Sequence, residues 1–173
     1  MYEAVKMNIS GSAIEPAISF YGKNYSYAAV FGYIDTLADN LAAEFGIGKG
    51  TAVTLCIPNS PAAVYVFYAA NKLGAAVNLV HPFLPPEKLK ESAQKSGSRL
   101  IVVYDLYSAE GLDFGIPVLV SDSASYMGAA AKLYYRLTQR RKMRGEALEK
   151  YLKNRGNPHA ATVQFGAREP AVY

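Results

Sequence analysis

The chain has 173 residues, 51% of them apolar, a formal net charge of +4, one cysteine and two histidines. That length suits a single domain with a sizeable core; one cysteine excludes an intramolecular disulfide, and so few histidines argue against a structural metal site. The longest apolar stretches, such as AAVYVFYAA at 62–70, are shorter than the roughly 18 residues of a bilayer span, and the N-terminus MYEAVKMNIS lacks the pattern of a secretory signal, so a cytoplasmic location is the default expectation.

Residues 17–27 read AISFYGKNYSY, two β-rich runs around Gly22, Lys23 and Asn24, which predicts a hairpin turning on those three. Ser26 can then cap a helix in which Val30, Ile34, Leu37, Leu41 and Phe45 recur at spacings of three and four, with Gly46 and Gly48 as the stop. The β-branched run TAVTLCI at 51–57 shows no clean alternation, as expected of a strand covered on both faces.

After the break at Pro58 and Asn59, Ser60 as cap and Pro61 at the first helical position start a second helix that reaches Leu73 and stops at Gly74. A strand at 75–80, a helix at 87–95 behind Pro85 and Pro86, and a strand at 99–104 follow, and IPVLV at 116–120 adds another strand. Strand, helix, strand, helix, strand in that order predicts a three-layer αβα fold with a mainly parallel sheet, preceded by the hairpin.

Helix formers dominate 126–152, where Lys132, Arg136, Arg140 and Arg144 are spaced by four while Met127, Ala130, Tyr134 and Leu137 lie on a different face. The segment 132–155 carries nine basic residues against Glu146 and Glu149. This predicts a basic amphipathic helix, which is either a solvated insertion or an attachment to an anionic membrane surface or nucleic acid. Of these, nucleic-acid binding is not expected: the fourteen tyrosines are scattered and read as packing residues rather than stacking platforms.

The search for chemistry is mostly negative. Gly46, Gly48 and Gly50 follow a helix and precede a strand, the reverse of the order that sets a helix N-terminus against a pyrophosphate. No GxxxxGK[ST] occurs. His81, Asn59 and Asn78 fall near the carboxyl ends of predicted strands, where open α/β sheets place ligands, and are the pocket-edge candidates; turn formation and backbone hydrogen bonding are the competing roles. Cys56 lies inside an apolar strand with no evident base beside it. Glu87 and Glu91 share a short helix with Lys88, Lys90 and Lys95, the usual composition of a solvated face.

Taken together, three stretches resemble the adenylate-forming superfamily of acyl-CoA synthetases, luciferases and the adenylation domains of peptide synthetases. They are PAISFYGKNYSY at 16–27, the long run from GIGKGTAVTLCIPNSP through NKLGAAVNLVHPF to SRLIVV at 46–103, and REPAVY at 168–173. The wording is most similar to medium- or long-chain fatty acyl-CoA ligases. Ala29 departs from the pattern, standing where many members carry the Glu of a capping box.

The resemblance implies the N-terminal subdomain of a larger enzyme: a core at 16–121, a basic helical insertion at 122–167, and at 168–173 a strand leading to a phosphate-binding loop. It implies a full-length ligase that uses ATP, magnesium and CoA to activate a fatty acid as acyl-AMP and transfer it to a thiol. The residues that bind ATP would then lie after Tyr173, so no catalytic, cofactor or metal residue is carried onto this chain, and the chain alone is expected to be inactive. Its first partner would be the remainder of its own enzyme, and an uncovered apolar face could pair two copies. The alternatives are a stand-alone α/β binding module and a basic membrane-associating domain without catalysis.

Overall fold

A computed structural model describes residues 2–7, 13–109, 111–140, 142–143 and 145–153. The stretch REPAVY and Arg144 lie outside the described residues. The elements in order are α1 (Tyr2–Met7), β1 (Pro16–Phe20), β2 (Lys23–Ser26), α2 (Tyr27–Phe45), β3 (Ala52–Cys56), α3 (Pro61–Lys72), β4 (Ala76–Leu79), α4 (Pro86–Lys95), β5 (Ser98–Tyr104), β6 (Val118–Ser121), α5 (Ala129–Thr138) and β7 (Glu146–Ala147). Short 3-10 turns occupy Ser123–Tyr126 and Leu148–Lys150.

Five parallel strands form the main sheet in the order β4-β3-β5-β6-β7. β4 lies on one side of β3 and β5 on the other, so the two crossovers run in opposite directions across the sheet. Right-handed connections running opposite ways put their helices on opposite faces, and the buried clusters follow that rule. Val53, Leu55, Val77, Leu100, Val102 and Leu119 pack with α2 and α3 through Ile34, Leu37, Leu41, Tyr65, Val66 and Ala69. Cys56, Ile101, Val103 and Val120 pack on the other face with Leu89 and Ala93 of α4, and with Tyr107 and Phe114 from the β5–β6 loop. Every residue of β3 is buried, which explains why its sequence shows no polar-out alternation, with Thr54 as its one polar side chain. This is the α/β fold with a parallel sheet that the strand and helix order predicts.

The caps agree with the sequence signals. Ser26 Oγ accepts from Ala29 N at 3.3 Å and Ser60 Oγ from Ala63 N at 3.3 Å, while Gly46 closes α2 with φ 60. The predicted hairpin is present but turns one residue early: Tyr21 (φ 44) and Gly22 (φ 77) are the loop, and Lys23 already pairs with Phe20. Positive φ at both positions is the turn whose twist suits a two-residue hairpin, and glycine at the second lowers its cost.

α1 was not predicted, being too short for periodicity to show. Tyr2 is 1% exposed, and its backbone N–H donates to Asn71 Oδ1 at 3.1 Å. Its hydroxyl, Lys6 and Lys72 all converge on Asp35, with Lys72 Nζ at 2.7 Å. This ties α1 to both α2 and α3. Burial pushes the Asp35 carboxyl up, but hydrogen bonds from Lys72 and Tyr2 outweigh it and leave the group below its ordinary range.

The continuous basic helix over 126–152 is corrected: α5 stops at Thr138. Beyond it, Arg140, Arg141, Lys142 and Arg144 would stack like charges along a helix. The fold offers the backbone a better arrangement, since Lys142 N and Met143 N donate to Asp105 O at 2.9 and 3.2 Å. β7 then pairs with β6, Leu119 facing Glu146 and Val120 facing Ala147. Leu148 is fully buried just after it. Long-range pairing and burial override local helix propensity here.

Leu100 is fully buried in the α2/α3 cluster, so Leu100→Ala should lower unfolding free energy by about 2–5 kcal/mol. Leu133→Ala, on the exposed side of α5, should change it by less than about 0.5 kcal/mol. Urea titration of both variants measures this, and a neutral Leu100→Ala would contradict the core assignment.

Candidate functional site

Asn78 and His81 meet at one cleft and Asn59 does not. A cleft of about 750 Å³ runs between β4 and α4, lined by Asn78, His81, Leu84, Lys88, Ser92 and Ser96 among others. Asn59 is exposed in the β3–α3 turn and is not among the lining residues.

The Asn78 side chain points to the α4 face of the sheet, where its Nδ2 lies 3.0 Å from Thr54 Oγ1, 3.0 Å from Ser92 Oγ and 3.2 Å from Ser96 Oγ. Thr54 Oγ1 and Ser98 Oγ are 2.7 Å apart, and Ser96 Oγ and Ser98 Oγ 2.9 Å. Three strands and α4 are thus joined by one amide and four hydroxyls. A closed network of this kind satisfies polar groups that would be costly to bury alone, and it engages the Asn78 amide within the fold. His81 Nδ1 accepts from Phe83 N at 3.2 Å and His81 O from Leu84 N at 2.9 Å, so this histidine shapes a turn.

The other titratable groups around this cleft are equally engaged. Lys88 and Lys95 bracket Glu91 at 2.8 and 2.7 Å and hold its carboxyl down at about 2. Burial pushes the Cys56 thiol up to about 12, and its Sγ lies 3.4 Å from His81 O. A thiol in that state is a buried apolar group, not a nucleophile.

A second polar centre, not foreseen in the sequence, sits at the carboxyl ends of β5 and β6. Each strand is followed directly by an aspartate, Asp105 and Asp122. Asp105 is fully buried; it accepts from Ser123 Oγ at 2.7 Å and Tyr135 Oη at 3.0 Å. Asp122 accepts from Ser125 Oγ at 2.7 Å and pairs with Arg136 at 2.9 Å. Glu149 Oε1 accepts from Tyr126 Oη at 2.8 Å and Asp122 N at 2.9 Å. Three carboxylates therefore staple the segment 121–149 to the sheet edge. Burial raises the Glu149 carboxyl above its ordinary value despite these donors, and burial likewise raises the Tyr135 hydroxyl to about 12. Pairs of an aspartate directly after a strand were the available signal, because the carboxyl edge of a parallel sheet is where polar groups converge.

Of the basic residues singled out, Arg136 is paired with Asp122, while Lys132 and Arg140 are exposed and have no ion pair among the described residues. Lys132 also lines a cleft of about 250 Å³ with Lys23, Tyr25, Tyr65 and Glu149.

Phosphate binding can be judged from the strand-to-helix turns. At α3 Pro61 has no N–H, Ala63 N donates to Ser60 Oγ, and Val64 N makes the first intrahelical bond to Ser60 O, both at 3.3 Å. α4 opens with Pro85 and Pro86, which have no N–H to offer. Neither turn, PNSP at 58–61 or HPFLPP at 81–86, is a glycine-rich phosphate loop. Among the described residues no group of three or more His, Cys, Asp or Glu is placed to hold a metal ion.

Comparison with known proteins gives these polar centres a context. The family described as AMP-binding enzyme matches residues 8–165. The chain is 32% identical over 107 residues to 4-coumarate–CoA ligase 3 of Oryza sativa subsp. japonica, covering 60% of this chain and 19% of that protein. It is 28% identical over 120 residues to acetyl-coenzyme A synthetase of Dictyostelium discoideum, covering 66% and 17%. The chain thus spans about a fifth of the curated relatives it matches. Among solved structures, a benzoate CoA ligase from Burkholderia xenovorans LB400 superposes with a TM-score of 0.76 at 14% identity, over 99% of this chain and 32% of that one. The N-terminal subdomain of Klebsiella oxytoca NpsA gives 0.66 at 19% identity, over 99% and 35%. These structural likenesses establish the shared fold.

Two substitutions test the site's structural character. Asn78→Ala leaves hydroxyls of Thr54, Ser92 and Ser96 without their shared partner and should cost about 1–3 kcal/mol of stability; an unchanged urea midpoint would show that the network contributes nothing. For Glu149 the sign follows from its raised folded pKa. Below the ordinary carboxyl range both states are neutral and the group's contribution is complete; as pH rises through the folded pKa the unfolded chain ionises first and that contribution is lost. Glu149→Gln does not titrate, so its stability relative to wild type should improve between about pH 4 and pH 7. A difference that is flat with pH, or that reverses, would contradict the burial of this carboxyl.

Proposed function

Because the chain belongs to the AMP-binding enzyme family, we propose that it is the N-terminal part of an ATP-dependent acid–thiol ligase. The reaction proposed for the whole enzyme runs in two steps. A carboxylate attacks the α-phosphate of ATP, forming acyl-AMP and releasing pyrophosphate; the thiol of CoA then attacks the acyl carbon and AMP leaves. The observation that supports this reading is the family match across 8–165. Asn78, Asp105, Asp122 and Glu149 Oε1 bond across elements and His81 bonds within its own turn, which suits a supporting layer whose adenylate chemistry is proposed to lie in sequence after Tyr173.

A fatty acid is proposed as the acid. The support is the wording of 46–103, including NKLGAAVNLVHPF, which is similar to fatty acyl-CoA ligases. Relatives at 32% and 28% identity are named for 4-coumarate and acetate, so the acid is the finer part of the proposal and is tested separately from the reaction class.

The chain alone should show no acid-dependent exchange of labelled pyrophosphate into ATP. The chain extended by the sequence that follows it in its gene should show exchange, and most strongly with fatty acids in a panel that includes 4-coumarate, benzoate and acetate. Exchange by the short chain would overturn the placement of the nucleotide site beyond Tyr173. An extended chain that prefers an aromatic acid would overturn the fatty-acid reading and leave the ligase reading intact.

A further inference from the structure

α5 is turned inside out relative to the rest of the fold. None of its residues is buried, and Leu133, Tyr134 and Leu137 are 62%, 70% and 78% exposed. Leu133 and Leu137 are four apart and therefore share one face, with Tyr134 beside them. Tyr135, about 100° farther around the helix than Tyr134, is half-buried and donates to Asp105. The side that faces the protein is therefore the polar anchor, and the apolar face points outward.

Charge borders that outward face on one flank. Lys132 and Arg136 lie on the side of the Leu133–Leu137 row away from Tyr134, and Arg140 follows the helix directly. Lys132 and Arg140 are exposed and lack ion-pair partners among the described residues. Arg136 is held by Asp122, with about half of its side chain exposed. Sequence beyond the helix adds Arg141, Lys142 and Arg144. The anchor is strong, because Tyr135, Arg136 and the backbone of Lys142 and Met143 are bonded to Asp105 and Asp122. An outward apolar row with a basic flank, fixed from behind by buried Asp105 and half-buried Asp122, matches the chemistry of an interfacial helix on anionic lipid.

We propose that α5 is a membrane-surface anchor, seating Leu133, Tyr134 and Leu137 in the headgroup–acyl boundary while Lys132 and Arg140 meet anionic headgroups. The occupant is an anionic lipid surface, and the proposal does not depend on the ligase reading. No helix among the described residues is long and apolar enough to cross a membrane; the contact is peripheral and reversible.

The test is sedimentation with vesicles of phosphatidylcholine and phosphatidylglycerol, about 3:1, against phosphatidylcholine alone, at low and high sodium chloride. The chain should sediment with the anionic vesicles at low salt and be released at high salt. Leu133→Asp/Leu137→Asp should lose at least tenfold in vesicle affinity, and Lys132→Gln/Arg140→Gln more than tenfold at about fivefold per base. Both variants should keep the wild-type circular dichroism and urea midpoint, since all four positions are exposed.

Several outcomes would overturn the proposal. One is absence of binding to anionic vesicles at low salt; another is equal binding by the leucine variant. Concentration-dependent dimerisation that the leucine variant abolishes, without vesicle binding, would assign the face to a second copy. Binding of the short chain but not of the chain extended in its gene would assign it to the enzyme's own later sequence. Salt-sensitive retention of nucleic acid that persists in the leucine variant, with no vesicle binding, would make the patch a nucleic-acid contact.

Discussion

The parallel sheet covered on both faces is the constraint from which the rest of the structure follows. β3 is its centre of gravity: it pairs with β4 and β5 and has no exposed residue. Once β4 and β5 flank it, crossover handedness sends α3 and α4 to opposite faces. Each face then needs its own filling. α2 and α3 supply a large apolar slab on one side. On the other side α4 is short and contributes Leu89 and Ala93, and the remainder of that interface is filled by the Thr54–Asn78–Ser92–Ser96–Ser98 network. Asn78 is best understood through this second face, as the hub that lets a polar helix lie on a buried sheet.

The same economy governs the carboxyl edge. In open α/β sheets that edge is where ligands gather, because polar chain ends converge there. Here Asp105, Asp122 and Glu149 occupy it, and each accepts hydrogen bonds from the segment that follows β6. They fix α5 and β7 in place, and through α5 they decide which residues face outward. Among the described residues, then, the edge has a structural use, and its carboxylates anchor α5.

Much of this was legible in the sequence where a signal is local. Ser26 and Ser60 were readable as caps, Gly46 and Gly74 as stops, and the apolar runs at 51–57 and 99–104 as buried strands, because each depends on residues close together in the chain. The hairpin slipped by one residue because Tyr21 accepts a positive φ that sequence rules assign to glycine or asparagine. The break of the 126–152 helix was invisible for a different reason. It depends on Asp105 O receiving Lys142 N and Met143 N and on pairing with β6, contacts between distant residues. α1 was missed likewise, since Asp35, Asn71 and Lys72 hold it from two other helices. His81 and Asn59 were placed correctly near strand ends, but position alone did not reveal that His81 caps its own turn.

The most direct measurement of the central claim is hydrogen–deuterium exchange on the chain by itself. If the doubly covered sheet is the organising element, amides of Val53–Cys56 and Leu100–Val103 should exchange only through global unfolding, while those of β7 and α5 exchange by local opening at far lower cost. Rapid exchange in β3 and β5 would contradict the account, because it would mean that the sheet is not held by its own two faces.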